Sequence, residues 1–428
     1  MAKPKLALIP ATQGSKLYSV LPADGVGDFN FSRDTIATRI NKDGLIETVA
    51  SGKSRLNYPL IDGVVNGCPS HLLEPQRTNL LSYSEDFSQS SWIKTRSSIG
   101  SNSAISPDGT LNADKLIEDT STNTHSTQNN VTIGNVDTTI SVFVKSDTRS
   151  RVKILLTDLA TGDYRIDLNL NNLSVIENNG GSRGSWTNTS YKIENFTNNW
   201  YKVSLTATKG AGSQASLSIN LLDNSGNHSY TGDGTSGVYI YGAQLEQGSY
   251  ATSIIPTSGS AVTRSAETAI GAGDASTFND SEGVLMVEMS ALANDSTNRY
   301  ISLSDGSTSN RVNIFFDSSN NLRGYYNGLS GSITINIDTT INNKIAFKYK
   351  SGDSGFWVNG IEVATRADSL SLVGLESISF DLGGGSDFYG NTKQIQYFDS
   401  ALNDSDLEKL TSWTSFTDMA NGQLYSIK

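Results

Sequence analysis

Alternation of apolar and polar residues over short runs, cut every few residues by glycine, asparagine or serine, is what most limits the folds open to this chain. In Tyr201-Lys202-Val203-Ser204-Leu205-Thr206 one face is apolar and the other polar, the pattern of an antiparallel strand with one wet side. The same period recurs from Thr139 to Lys145, Arg151 to Thr157, Tyr164 to Leu170, Ala215 to Leu222 and Val238 to Leu245. Phe356-Trp357-Val358-Asn359-Gly360-Ile361-Glu362-Val363 places Asn-Gly between apolar flanks, a strong hairpin signal. The predicted fold class is all-β: two antiparallel β-sandwich (jelly-roll) domains in tandem with a small N-terminal attachment module. Composition agrees. The chain holds 39 glycines, and 17 tyrosines and 14 phenylalanines stand against 4 methionines, which suits sheet faces and tight turns better than helical seams.

At 428 residues the chain exceeds one ordinary core. Residues 1–77 read as a leading module of small hairpins. Asp43-Gly44 turns one of them, Arg39 to Glu47, and Asp62-Gly63 turns another, Asn57 to Val65. This segment is too short to bury much alone and is expected to pack on a partner subunit or a larger particle. Residues 78–258 form a first sandwich and residues 277–428 a second. Between them, 259–276 read as a linker, with Pro256-Thr257-Ser258-Gly259-Ser260 breaking regular structure where it starts. Val284-Leu285-Met286-Val287-Glu288-Met289 reads as a buried strand. One helix is predicted after Asn403, which can cap it, with Leu407 and Leu410 on one face.

A net charge of −11 repels a nucleic-acid backbone. No apolar run is long enough to span a membrane, and the N-terminal residues show no cleavable export pattern. Neither nucleic-acid binding nor membrane insertion is therefore expected. Cys68 is the single cysteine, so no intrachain disulfide can form.

Some stretches carry a resemblance. Thr78-Asn79-Leu80-Leu81-Ser82-Tyr83-Ser84-Glu85-Asp86-Phe87, with Trp92 behind it and Gly242-Ala243-Gln244-Leu245-Glu246-Gln247-Gly248 at the far end, resembles the jelly-roll modules of bacteriophage tail and virion proteins, themselves similar to carbohydrate-binding modules. Trp357-Val358-Asn359-Gly360 and Tyr397-Phe398-Asp399-Ser400-Ala401-Leu402 resemble concanavalin A-like (laminin G-like) sandwiches. The resemblance implies a virion protein made in a host cytoplasm: a tail fibre or receptor-binding adhesin, homotrimeric, held to other phage virion proteins by its N-terminal module and presenting lectin-like domains to host cell-surface polysaccharide. A capsid spike or decoration protein that only packs on its neighbours is the alternative, and a glycan-cleaving enzyme a more distant one.

Catalysis finds little support in the spacing. A glucanase of this type needs two carboxylates on one strand face. The closest set, Asp404, Asp406 and Glu408, falls where the helix is predicted, so no enzyme is expected. His71, His125 and His228 sit in no recognisable motif, and Cys68 with His71 lacks a second cysteine for zinc; Cys68 reads as a small buried or half-buried residue. Sugar binding asks for aromatic faces beside hydrogen-bonding groups. Candidates are Arg183, Trp186 and Asn188 in a polar loop, Tyr325, Tyr326 and Asn327, and Asp387, Phe388 and Tyr389. Trp92, Trp200 and Trp357 are flanked by strand pattern and read as core. No cofactor is required. Asp223, Asn224 and Asp233 offer hard oxygen ligands for a structural calcium.

Overall fold

The alternating runs become strands, and their apolar faces close two separate cores. The computed structural model describes residues 2–13, 16–158, 162–178, 186–414, 418 and 422–423. Among them it is almost entirely β, with one short α-helix.

The first sandwich sets two six-stranded antiparallel sheets face to face. One orders Ile93–Thr95, Ser126–Thr132, Gln214–Leu222, Arg151–Thr157, Asp163–Asn169 and Val175–Asn178. The other orders Ser97–Ile105, Leu111–Glu118, Gly237–Gln247, Asp137–Ser146, Trp200–Lys209 and Trp186–Phe196. Every second side chain points inward, so Val203 and Leu205 meet Ile154, Ile219 and Trp92. The Trp200 indole lies on the outer side instead, donating from Nε1 to the Ile105 carbonyl at 3.0 Å.

The second sandwich packs a five-stranded sheet against a larger one. The small sheet orders Ile333–Ile335, Leu322–Tyr326, Arg311–Phe316, Arg299–Ser304 and Ser377–Ser379. Glu282–Ala291 lies inside the large sheet and is apolar on both faces. Leu285, Val287 and Met289 enter the inter-sheet core, while Val284 and Met286 are covered by the helix Asp404–Ser412 through Leu407 and Leu410. Asn403 caps that helix, its side chain accepting from the Asp406 amide at 2.9 Å. Asn359 and Gly360 take φ of 51° and 86°, the left-handed pair that a tight hairpin requires.

The leading residues do not stand apart, which corrects the expected separate module. Leu6–Gln13 pairs with Gly390–Phe398, and Lys16–Leu21, Phe29–Ser32, Arg55–Asn57 and Ser70–Leu73 join the same large sheet, which has eleven strands. Leu6, Leu8, Leu17, Phe29 and Phe31 complete the second core. The hairpins Ala37–Val49 and Leu60–Val65 fold the other way, placing Ile40, Ile46 and Leu60 against Phe143, Phe196 and Trp200 on the first sandwich. The segment thus packs on both halves of its own chain. Residues 259–276 are likewise no loose linker. Val262–Arg264 pairs with Arg77–Asn79, and Thr268–Ile270 pairs with Phe29–Ser32.

Five buried charges lock this junction. Glu267 accepts from Arg33 Nη1 at 2.7 Å and from Arg55 Nε at 2.8 Å, with Arg55 Nη2 on its second oxygen. Glu74 meets Arg55 and Arg264, each at 2.8 Å, and accepts from Ser253 Oγ at 2.6 Å. Burial alone would raise the Glu74 pKa, but Arg264, Arg55 and the Ser253 bonds outweigh it and hold the carboxyl well below the usual range. His71 lies beside this cluster, between Phe31 and Phe380, with neither ring nitrogen partnered. Burial, and then the Arg55 charge, push it down to about 3.

Two expectations follow. Arg55→Met leaves Glu74 and Glu267 each with a single arginine in a buried site and should destabilise the protein by about 3 kcal/mol in urea unfolding. For His71, the unfolded chain takes a proton below about pH 6.5 while the folded chain resists until about 3. This group's contribution therefore weakens stability as pH falls through that window, by at most about 1.4 kcal/mol per unit. His71→Phe should flatten the stability slope between pH 6.5 and 4.5; an unchanged slope would show that other groups set it.

Candidate functional site

The outer face of the five-stranded sheet gathers aromatic and cationic groups in register. Pleating sends Val312, Ile314 and Phe316 into the core and turns Arg311, Asn313 and Phe315 outward. Cross-strand pairing extends these positions into rows. Tyr300, Phe315, Arg323 and Thr334 lie side by side. Ser379, Ser302, Asn313 and Tyr325 form the next row, and Ser377, Ser304 and Arg311 the third. Gly324 sits among them facing inward, where a Cβ would come within 2.9 Å of the Phe356 ring. Its absence lets the sheet lie close on the core aromatics.

The Tyr300 ring stacks on Phe315 at 4.4 Å and 20°. The Arg323 guanidinium lies 5.8 Å from the Phe315 centroid and is tethered by Asp317 at 3.1 Å and by Ser332. Arg311 lies over the Tyr325 ring at 4.8 Å. Asn313 is assigned with its amide oxygen toward Arg311 Nε, at 2.9 Å, because the reverse orientation sets two donors against each other. These residues line an open depression of about 350 Å³. Burial raises the Tyr300 pKa although Arg311 and Arg323 oppose it, so its hydroxyl keeps its proton. Burial would raise Asp317, but the amides of Asn321 and Ser319 and the Arg323 guanidinium hold it low and ionised. Aromatic walls and two guanidiniums, with the buried Asn313 amide orienting one of them, make a surface suited to a polyhydroxylated ligand with apolar ring faces.

Of the sequence candidates, only Tyr325 lies among these groups. Tyr326 is the next residue in the strand and points into the core, as does Phe388. Asn327 follows the strand and donates to the Ser309 carbonyl. Asp387 and Tyr389 bond each other at 2.9 Å. Trp186 is fully buried in the first sandwich, because it opens a strand opposite Lys209 and is no loop residue. Asn188 is exposed and donates to Thr208 Oγ1 at 3.1 Å. Arg183 lies outside the described residues. Cys68, expected to be buried or half-buried, is exposed. Tyr300, Phe315, Arg311 and Arg323 were missed, although Arg311-Val312-Asn313-Ile314-Phe315-Phe316-Asp317 carries a period-two signal that puts residues 311, 313, 315 and 317 on one side.

The calcium candidates Asp223 and Asp233 are each engaged in their own turns. Asp223 closes its own turn, accepting from the amides of Ser225 and Asn227 at 2.9 and 2.8 Å. Asp233 does the same with Thr235 and Ser236, and the Ser236 hydroxyl and these amides hold its pKa well below the usual range. Asn224 is only 3.4 Å from the Ser150 amide. Among the described residues no group of three or more His, Cys, Asp or Glu could hold a metal ion.

A crevice between the leading hairpins and the two sandwiches is lined by Ile40, Phe196, Lys192, Glu194 and Asn391. Its charges answer one another: Lys192 pairs with Glu194 at 2.8 Å, and Lys202 donates to the Thr252 carbonyl at 2.7 Å.

No protein-family model matches the chain, and no curated protein does. Solved structures do. The carbohydrate-binding module CBM40 of the Ruminococcus gnavus IT-sialidase, bound to alpha2,3 sialyllactose, is 12% identical over 31% of this chain and 84% of its own, with a TM-score of 0.28. The NanB sialidase of Streptococcus pneumoniae is 16% identical over 32% of this chain and 24% of its own, with a TM-score of 0.27. The Trypanosoma rangeli sialidase in complex with sialic acid is 7% identical over 74% of this chain and 61% of its own, with a TM-score of 0.29.

The expectation that the chain is not an enzyme is withdrawn: sialidases are among the structures it resembles in part. These likenesses are weak and partial and assign no activity. Spacing along the chain also hid one carboxylate pair: Glu85 and Asp108 both reach the Tyr241 hydroxyl, at 3.0 and 3.1 Å. Burial raises the Glu85 pKa.

The exposed thiol gives a direct check on this arrangement. Native protein should titrate one equivalent of Cys68 with a disulfide reagent as fast as a free thiol peptide; protection until denaturation would contradict its exposure.

Proposed function

We propose that the chain binds glycans through the outer face of its C-terminal sheet, and that it serves as a receptor-binding component of a bacteriophage virion. The observation that carries the glycan reading is the aligned set of Tyr300, Phe315 and Tyr325 beside Arg311, Asn313 and Arg323 on one rigid sheet. Tyr300 and Tyr325 supply apolar area for pyranose faces, with Phe315 and Asn313 holding them and Arg311 in place from beneath, and the guanidiniums bond the hydroxyls. Strands hold these groups better than loops would.

The virion role rests on the resemblance of residues 78–92 and 242–248 to phage jelly-roll modules. In this reading the leading segment contacts other virion proteins, and its hairpin Leu60–Val65 shows Ile61 and Val64 to solvent. A homotrimer would present three faces to host polysaccharide, and avidity would exceed the affinity of one face.

A glycan array and a cell-adsorption assay with the full chain test the reading. Tyr325→Ala and Tyr300→Ala should each weaken binding about tenfold or more while leaving the unfolding midpoint nearly unchanged. Absence of binding at high concentration would favour a purely packing role.

A further inference from the structure

We infer that the aromatic face takes a sugar bearing a carboxylate, with Arg311 as the group that meets it; this rests on the glycan-binding reading above. Arg323 and Arg311 share one depression but differ in state. Arg323 is already committed, to Asp317 and to Ser332. Arg311 has no carboxylate partner within ion-pair reach among the described residues. Its Nε is taken by the Asn313 amide oxygen, and its guanidinium carbon lies 4.8 Å from the Tyr325 ring centroid. That fixes the orientation of the fork and leaves Nη1 and Nη2 free.

A guanidinium with one edge anchored and two N–H groups forward matches a planar carboxylate with two parallel hydrogen bonds. The charges agree. Arg311 and Arg323 against Asp317 leave this face locally positive on a chain whose net charge is −11. An acidic sugar is repelled by the molecule as a whole and attracted here. Tyr300, with its proton retained, adds a neutral donor rather than a competing anion. A neutral sugar would meet the rings but offers the Arg311 fork only uncharged hydroxyl oxygens in place of a planar, charged pair of acceptors.

The test uses the full chain and matched ligands: polygalacturonate, alginate and sialyllactose, each beside the same compound with its carboxyl groups reduced to alcohols. At least one acidic form should bind about tenfold or more tightly than its reduced partner, and the advantage should shrink with added salt. Arg311→Gln should remove that advantage, so that the acidic and reduced forms of a compound bind alike. Arg311→Lys, which keeps the charge but loses the fork, should restore only part of it. Equal binding of acidic and reduced forms, or a preference that survives Arg311→Gln, overturns the inference and leaves the glycan reading intact. Binding to none of the six compounds, with a blank glycan array, sinks both.

Discussion

Everything in this molecule is arranged around five ionised side chains taken out of water together. Arg33, Arg55 and Arg264 surround Glu74 and Glu267, and the pairs among them are at most 4% exposed. Burying one such charge alone would be prohibitive. The cluster is tolerable because every carboxylate oxygen is met: Glu267 by Arg33, Arg55 and the Glu74 amide, Glu74 by Arg55, Arg264 and Ser253. Arg55 is the centre, spanning both carboxylates while donating to the Thr38 carbonyl. Such a network adds little net stability over an apolar core of equal volume. What it supplies is a register. The leading segment, the last loop of the first sandwich and the segment that follows can meet in only one way if all four carboxylate oxygens are to be satisfied.

The register has mechanical meaning. Two sandwiches joined by a flexible tether would sample many mutual angles. Here the leading residues give five strands to one sandwich and lay two hairpins on the other, so the joint is made of packed apolar side chains as well as charge. The sheet face carrying Tyr300, Phe315 and Tyr325 is built on the second core, which itself includes Leu6, Leu8 and Phe31. Its geometry therefore depends on residues some three hundred positions away in the chain.

Local patterns were legible where they were strictly periodic. The Tyr201–Thr206 alternation, the Asn359-Gly360 turn and the Asn403 cap each specify structure within a few residues, and each appears. Ser97–Ile105 and Leu111–Glu118 were not read as strands, since Ser, Gly and Asn dominate the first and charged residues interrupt the second; their sheet neighbours decide them. Trp186 followed a glycine-rich stretch and looked like a loop aromatic, but only its pairing with Lys209 settles its direction. Arg33, Arg55 and Glu267 look like ordinary surface charges in sequence, because their partners lie 212 and 234 residues away. At the candidate site Tyr325 stood out beside Tyr326, whereas Tyr300 and Phe315 acquire meaning only when separate strands set their rings 4.4 Å apart.

The pairing of Leu6, Ala7 and Leu8 with Tyr397, Gln396 and Ile395 also sets an order of events during synthesis. The first sandwich holds its own strands within one continuous stretch and can close as soon as that stretch leaves the ribosome. The opening strand has no such option. One of its edges pairs with the neighbouring Lys16–Leu21, but the other stays unpaired until Gly390–Phe398, far along the chain, has been made, so the second sandwich closes after the first.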